Sequence, residues 1–325
     1  MKALVCRTLT GIDDLRVEEV EAPRPGAGEV LIDVAAAGVN FPDVLLTQGK
    51  YQFKAPLPFP PGFELAGTVR EVGEGVTDFG KGDRVLAIVS HGAFAQQCLA
   101  KANRTVLLPA GADLELAAAT MFTYATSWHA LKDRAALKAG ETLLVLGAAG
   151  GTGLAAVELG KILGARVIAA ASSPEKLAVC REHGADETID YSKEDLREGV
   201  KRLTGASAVD VVYDPVGGAI SEPAFRSLAW RGRHLVIGFT AGDIPKIPSN
   251  LPLLKGASLV GVFLGGFMEK EPAAAREDMR EIVGMLAAGR IRPHISNRYP
   301  LERGVEALRE VAERRVRGKA LIVPG

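Results

Sequence analysis

Seven residues, Gly147-Ala148-Ala149-Gly150-Gly151-Thr152-Gly153, carry the most pointed chemistry in the sequence. They follow an apolar run, LLVLG, and open a helical pattern, LAAVELGKILG. The run fits G-x-G-x-x-G with Ala148 in the first glycine's place. Such a turn must bend sharply, let a diphosphate reach the amides, and allow the helix to pack close to the strand. Gly150 and Gly153 meet the second and third demands. Gly151 and Thr152 bring N–H groups to the start of the helix, where the exposed amides and the helix dipole favour phosphate.

The next strand pattern, RVIAAA, ends at Ala171, where NAD-selective folds place an Asp or Glu against the ribose 2′-hydroxyl. Ser172, Ser173 and Lys176 follow. Two hydroxyls and an ammonium, with no carboxylate to repel it, can bind a 2′-phosphate, so NADPH is favoured over NADH. Ser173-Pro174-Glu175 also reads as an N-cap and the first residues of a helix. Tyr191, ending ETIDY, is placed to flank the adenosine side.

These motifs need a scaffold, and the hydropathy pattern supplies one. From LLVLG onward, apolar strands (RVIAAA, ETIDY, VDVVYD, HLVIGF) alternate with helices, the pattern of a parallel sheet covered on both faces. Before it, from Met1 to about Thr105, short strands are broken by Gly and Pro, and APLPFPPG (55–62) is a rigid connection rather than a strand. Helical stretches are expected over about 113–135. After the apolar run SLVGVFLG (258–265) come a charged helix, a strand near 294–299, a helix from Leu301 and a final strand, KALIVP. This tail is expected to fold back onto the first region.

The 325 residues suffice for two domains, with 47% hydrophobic and 24% charged residues. Lys plus Arg and Asp plus Glu each total 39, so there is no bulk positive field, which argues against a nucleic-acid partner. No window is long and apolar enough for a membrane span, and a cytoplasmic location is expected. Cys6, Cys98 and Cys180 form no CxxC pair, and the five histidines show no metal spacing. No Ser-His-Asp set or paired carboxylates suggest hydrolysis.

With GVNFPDVLLTQGKY, PPGFELAGTVREVGEGV, GDRVLA, GETLLVLGAAGGTGLAAVELGK, GADETIDY and RGKALIVP in one order, the chain resembles the medium-chain dehydrogenase/reductase superfamily, and within it the zinc-less NADPH:quinone oxidoreductases. The resemblance implies an α/β fold: a GroES-like, mostly-β catalytic domain of residues 1–122 and 264–325, with a Rossmann doubly wound parallel sheet, 123–263, inserted. Zinc-containing alcohol dehydrogenases, which look like cousins, place Cys at the position of Asn40, His at Phe63 and Cys near Phe122. None of these ligand types is present, so no tetrahedral zinc site can be rebuilt there.

The resemblance further implies that Asn40 and Tyr51 lie at the active cleft, with Asn40 and Thr126 on the nicotinamide side. Ser173, Lys176 and Tyr191 would surround the adenosine phosphate. Gly238, Phe239, Phe263 and Gly265 are further expected contacts, and Arg314 is a candidate for the cofactor phosphate. The expected reaction is hydride transfer from NADPH to a quinone or enone, whose delocalised product anion one or two hydrogen-bond donors can stabilise, with Tyr51 and Asn40 as the donors. An enoyl thioester such as acrylyl-CoA is an alternative substrate. An NADPH-binding structural or RNA-binding role is an alternative class. A homodimer joined at Rossmann sheet edges near VGVFLG is also implied.

Overall fold

The computed structural model describes residues 1–205 and 208–325. The chain divides into two compact units, Met1–Phe122 with Gly266–Gly325, and Thr123–Gly265.

The first unit is built on a seven-stranded sheet. Its path runs Ile295–Pro300, Lys319–Val323, Glu29–Val39, Glu64–Val72, Arg84–Ile88 and Thr105–Leu107, with Gln97–Lys101 also pairing Glu29–Val39. The tail thus returns to the first region. Lys319–Val323 lies antiparallel to the end of Glu29–Val39, in the register Ala320↔Val39, and this brings Lys319 beside the turn at Asn40. Leu4, Ile32, Leu65, Phe59 and Phe94 are among the side chains that fill the core. The proline-dense stretch 55–62 runs as an irregular connection, tied by an isolated bridge between Cys6 and Phe59. All three cysteines are free and buried.

The second unit holds a six-stranded sheet ordered Glu187–Asp190, Arg166–Ala171, Thr142–Leu146, Val209–Asp214, Leu228–Val236, Ser258–Gly261, every pair parallel. Chain order starts in the middle with Thr142–Leu146, proceeds outward on one side, then jumps back to Val209–Asp214 and proceeds outward on the other. The order therefore reverses beside the strand that feeds the glycine turn, and ligands of open α/β sheets bind outside the carboxyl ends of the strands at such a reversal. Leu143, Leu144, Val145, Val167, Ile168, Val211 and Val212 are fully buried, as strands covered on both faces require.

One expectation changes. The apolar run 258–265 is a strand only over Ser258–Gly261; Phe263 follows it and Gly265 lies in the helix Leu264–Lys270. The neighbouring strand ends at Val236, which pairs with Gly261, so no ladder remains beyond it except Val262 N–H to Val236 O. The helical stretches expected over about 113–135 are Leu114–Ala118, Met121–Trp128 and a π-helical turn, His129–Arg134. No helix among the described residues is long and apolar enough to cross a membrane.

Candidate functional site

In the second unit, the candidate residues of the glycine turn and of the segment after Ala171 lie at the carboxyl ends of the parallel strands. The helix Gly151–Ile162 begins after Gly150, which sits at its N-cap with no side chain capping it. Its first N–H groups have no intrahelical acceptor and are available to an anion. The glycines differ in why they are needed. A Cβ on Gly153 would lie 2.5 Å from Gly147 O and 2.7 Å from Ala148 Cα, so the protein's own packing excludes it. A Cβ on Gly150 would meet nothing closer than Gly147 O at 3.4 Å. Packing leaves that face open, which is the cradle a diphosphate requires.

At the next strand end, Ser173 caps the helix Pro174–Glu182, its Oγ accepting Lys176 N–H at 3.3 Å. Lys176 Nζ lies 3.3 Å from Ser172 Oγ. Tyr191 donates its backbone N–H to Ala171 O at 3.1 Å, so it starts beside the strand end from which Ser172, Ser173 and Lys176 follow. Asp190, in register with Ala171, is engaged locally: its carboxylate accepts Ser192 N–H and Oγ–H and sits below its ordinary pKa, with the Ser192 hydroxyl the largest cause. Thr126 is buried on the helix Met121–Trp128. Its neighbour Ser127 donates to Thr152 O at 3.0 Å and meets Tyr213 Oη at 2.8 Å, which fastens this helix to the glycine turn.

Sequence reading missed the loop Asp214–Gly218. Asp214 Oδ1 accepts the N–H groups of Val216 and Gly217, each at 2.9 Å, and Oδ2 accepts from Ser221 and from His234 Nε2. Burial pushes this carboxyl up, but the bonds from His234, Ser221 and Gly217 outweigh it and hold it below the usual range. Gly217 has φ +70, and a Cβ there would meet Phe239 Cδ1 at 2.9 Å. Val216 Cγ2 in turn closes on Gly147. The loop therefore joins Gly238–Phe239 to the glycine turn. A paired glycine directly after a strand end, YDPVGG, was the available signal. Phe263 and Gly265 follow the strand beside Val236, and Phe263 is exposed. Arg314 belongs to the first unit, exposed on the left-handed turn after the helix Gly304–Ala312.

In the first unit, Asn40 and Tyr51 have different environments. Asn40 caps the helix Phe41–Thr47 in a capping box with Asp43. Its side-chain amide donates to Gly38 O at 3.2 Å and to Glu64 Oε1 at 2.9 Å, and its Oδ1 accepts from Lys319 Nζ at 2.7 Å. Both amide hydrogens are therefore committed inside the protein. Tyr51 packs edge-on against Phe63, centroids 5.2 Å apart, and Phe63 lies 5.8 Å from Phe122. Among the described residues the Tyr51 hydroxyl has no protein hydrogen-bond partner. Burial, and then the Asp43 charge, raise its pKa and keep the phenol protonated. Asp43 is itself pushed up to about 8 by burial, with Glu64 adding to the rise and the Asn40 and Gly62 N–H groups and Lys319 opposing it. No group of three His, Cys, Asp or Glu side chains that could hold a metal occurs among the described residues.

Residues 26–125 match the alcohol dehydrogenase GroES-like domain family, and residues 151–287 match the zinc-binding dehydrogenase family. Quinone oxidoreductase-like protein 2 of Mus musculus is 40% identical over 323 residues, covering 99% of this chain and 91% of its own. The chain belongs to the zinc-less quinone oxidoreductase family of the medium-chain dehydrogenases/reductases. A quinone oxidoreductase of Pseudomonas aeruginosa is 36% identical over 315 residues, covering 97% of each chain. Among solved structures, the Escherichia coli quinone oxidoreductase complexed with NADPH superposes with a TM-score of 0.94 at 29% identity, covering 100% of both chains. As a quinone oxidoreductase family member the chain has the GroES-like and Rossmann-like parts of that fold, and it is an oxidoreductase of the medium-chain class.

Proposed function

We propose that this protein reduces quinones or α,β-unsaturated carbonyls with NADPH. The observation that carries the reading is the cluster of Ser172, Ser173, Lys176 and Tyr191 beside an uncapped glycine turn at the point where strand order reverses. Amides of Gly151, Thr152 and Gly153 would hold the diphosphate. Lys176 with the two serines would hold the 2′-phosphate, and Thr126 and Gly238–Phe239 would flank the nicotinamide end.

Bound there, NADPH supplies the hydride. The chain's own contribution is the acceptor side. Tyr51, its hydroxyl unpartnered among the described residues and its proton retained by burial, donates to the acceptor oxygen as negative charge develops on it. Asn40, whose amide is spent on Gly38, Glu64 and Lys319, holds the helix start that leads to Tyr51 rather than donating to substrate. The aromatic wall of Tyr51, Phe63 and Phe122 suits a flat, conjugated acceptor. Stopped-flow oxidation of NADPH with 1,4-benzoquinone and with 2-cyclohexenone tests the reading. Tight cofactor binding with turnover of neither acceptor would sink it.

A homodimer joined at the edge of the parallel sheet is part of the same proposal. Among the described residues Ser258–Gly261 pairs only with Leu228–Val236, and the strand and its surroundings expose Leu259 (50%), Trp230 (71%), Leu253 and Leu254. An apolar unpaired edge favours a second copy. Sedimentation showing a monomer at micromolar concentration would overturn this part alone.

A further inference from the structure

Behind the Tyr51 wall, the first unit buries an ion pair for which neither the expected chemistry nor fold stability accounts. Lys319 is 3% exposed and Glu64 0%, and their charges meet at 2.6 Å. Side chains of these types are almost never fully buried unless paired. Even paired, they are often no more stabilising than apolar residues of similar volume, because both charges lose their water. The bonds the pair makes indicate a different use. The three donors of the Lys319 ammonium are all taken, by Val39 O at 3.1 Å, Asn40 Oδ1 at 2.7 Å and Glu64 Oε1 at 2.6 Å. Glu64 Oε1 also accepts from the Asn40 amide, and Glu64 Oε2 accepts the backbone N–H of Phe122 at 2.8 Å. A Cβ at Gly38 would collide with the Glu64 carboxylate and with Ala118 O, so the backbone is bare where the pair needs room.

Each ring of the aromatic wall hangs from something this pair fixes. Phe63 is the residue before Glu64. Phe122 is held by its own N–H on Glu64. Tyr51 follows the helix Phe41–Thr47, whose cap, Asn40, is gripped by both Glu64 and Lys319. We infer that Lys319 and Glu64 are positioning residues for the acceptor: the pair sets the relative placement of Tyr51, Phe63 and Phe122, and so the geometry in which a flat acceptor is held. The inference rests on the reading of that wall as the acceptor site. Misplacement of reacting groups by about 1 Å costs up to roughly 100-fold in rate, so a network that fixes three rings at once has leverage without touching substrate.

The test separates positioning from stability. Lys319→Met alone leaves Glu64 buried and unpaired, and is expected to lower both the thermal midpoint and turnover. The double substitution Lys319→Met with Glu64→Gln removes both charges while keeping a side chain of similar shape at each position. It is expected to restore the thermal midpoint, to leave the Kd for NADPH as in the native protein, and to keep kcat/KM for benzoquinone roughly 10- to 100-fold low. Recovery of both stability and turnover in the double variant would show the pair to be a fold element only. So would an equal loss of NADPH binding and turnover. A second readout does not depend on turnover: ¹⁹F NMR of protein labelled with 3-fluorotyrosine, the Tyr51 line assigned from Tyr51→Phe. One sharp native line that broadens or splits in the double variant supports positioning, and an unchanged line overturns it. Failure of the native protein to turn over any acceptor would instead indict the proposed reaction, leaving the NMR comparison to decide the role of the pair.

Discussion

The two units build their candidate sites from different materials. In the second unit the binding surface is mostly backbone: N–H groups at a helix start, strand ends in register, and glycines whose missing Cβ either makes room for the protein itself, as at Gly153, or leaves a face open, as at Gly150. In the first unit the surface is side chains, three aromatic rings held by a buried Glu64–Lys319–Asn40 cluster. A backbone site tolerates much sequence change but is intolerant of added atoms. A side-chain site is the reverse, since its chemistry resides in single groups that substitution can remove without disturbing the fold.

The largest expected effect falls on one such group. Tyr51→Phe removes the only hydroxyl of the wall, and kcat for quinone is expected to fall by about 10²- to 10³-fold, with the Kd for NADPH unchanged by calorimetry. An unchanged kcat would mean that solvent supplies the hydrogen bond and that the contrast between the units is overdrawn. Next comes the glycine pair. Gly153→Ala forces its new atom onto Gly147 O, and is expected to destabilise the unit by about 1–3 kcal/mol and weaken NADPH binding alongside. Gly150→Ala is expected to leave the thermal midpoint within about 1 °C of native while still weakening NADPH roughly 10-fold or more, because the space it fills belongs to the ligand. Equal behaviour of the two variants would erase the distinction between packing glycine and ligand glycine.

Lys176→Ala sharpens the cofactor half of the comparison. Loss of one charge-assisted contact to a phosphate corresponds to about 1.5–3 kcal/mol, or roughly 10- to 100-fold in the Kd for NADPH, with NADH affected little. A pH slope in stability completes the set. Asp43 titrates at about 8 in the fold, against 3.8 ordinarily. The folded state therefore binds this proton more tightly than the unfolded chain. Its stabilising contribution is full below the unfolded value and is lost as pH rises through the folded one. Asp43→Asn cannot titrate, so its thermal midpoint relative to native is expected to improve from pH 5 to about pH 8 and to level off above it in a scanning calorimeter. A constant offset would place the titration elsewhere.

The same contrast explains what could be read from the sequence. The glycine turn and the Ser172–Lys176 segment are local, their meaning carried by neighbours a few residues away, and so a strand pattern followed by GAAGGTG suffices. The loop after Asp214 was equally local, and only the significance of its glycine pair went unread. Lys319 and Glu64 are 255 positions apart, and nothing in hydropathy or spacing links them until the pairing of Lys319–Val323 with Glu29–Val39 is known. Asn40 reads from sequence as a candidate, but its saturated amide does not, because hydrogen-bond partners drawn from Glu64 and Lys319 have no sequence signature. The strand after Ser258 stops early because its neighbour does, and a single segment's apolar character does not register the length of the strand beside it.

The returning strand also has a consequence in time. Val39 is gripped by a residue made 280 positions later, so on the ribosome that edge of the first sheet waits through synthesis of the whole second unit, roughly 15–60 s at common elongation rates. For that interval an apolar, unpaired border is open to other nascent chains, and Glu64 has no counterion. Arrested chains ending before Lys319 should be cut readily by protease around Asn40, and those carrying the final strand outside the exit tunnel should resist. Assembly of the Asn40–Glu64–Lys319 cluster is thereby postponed until the whole second unit has been made.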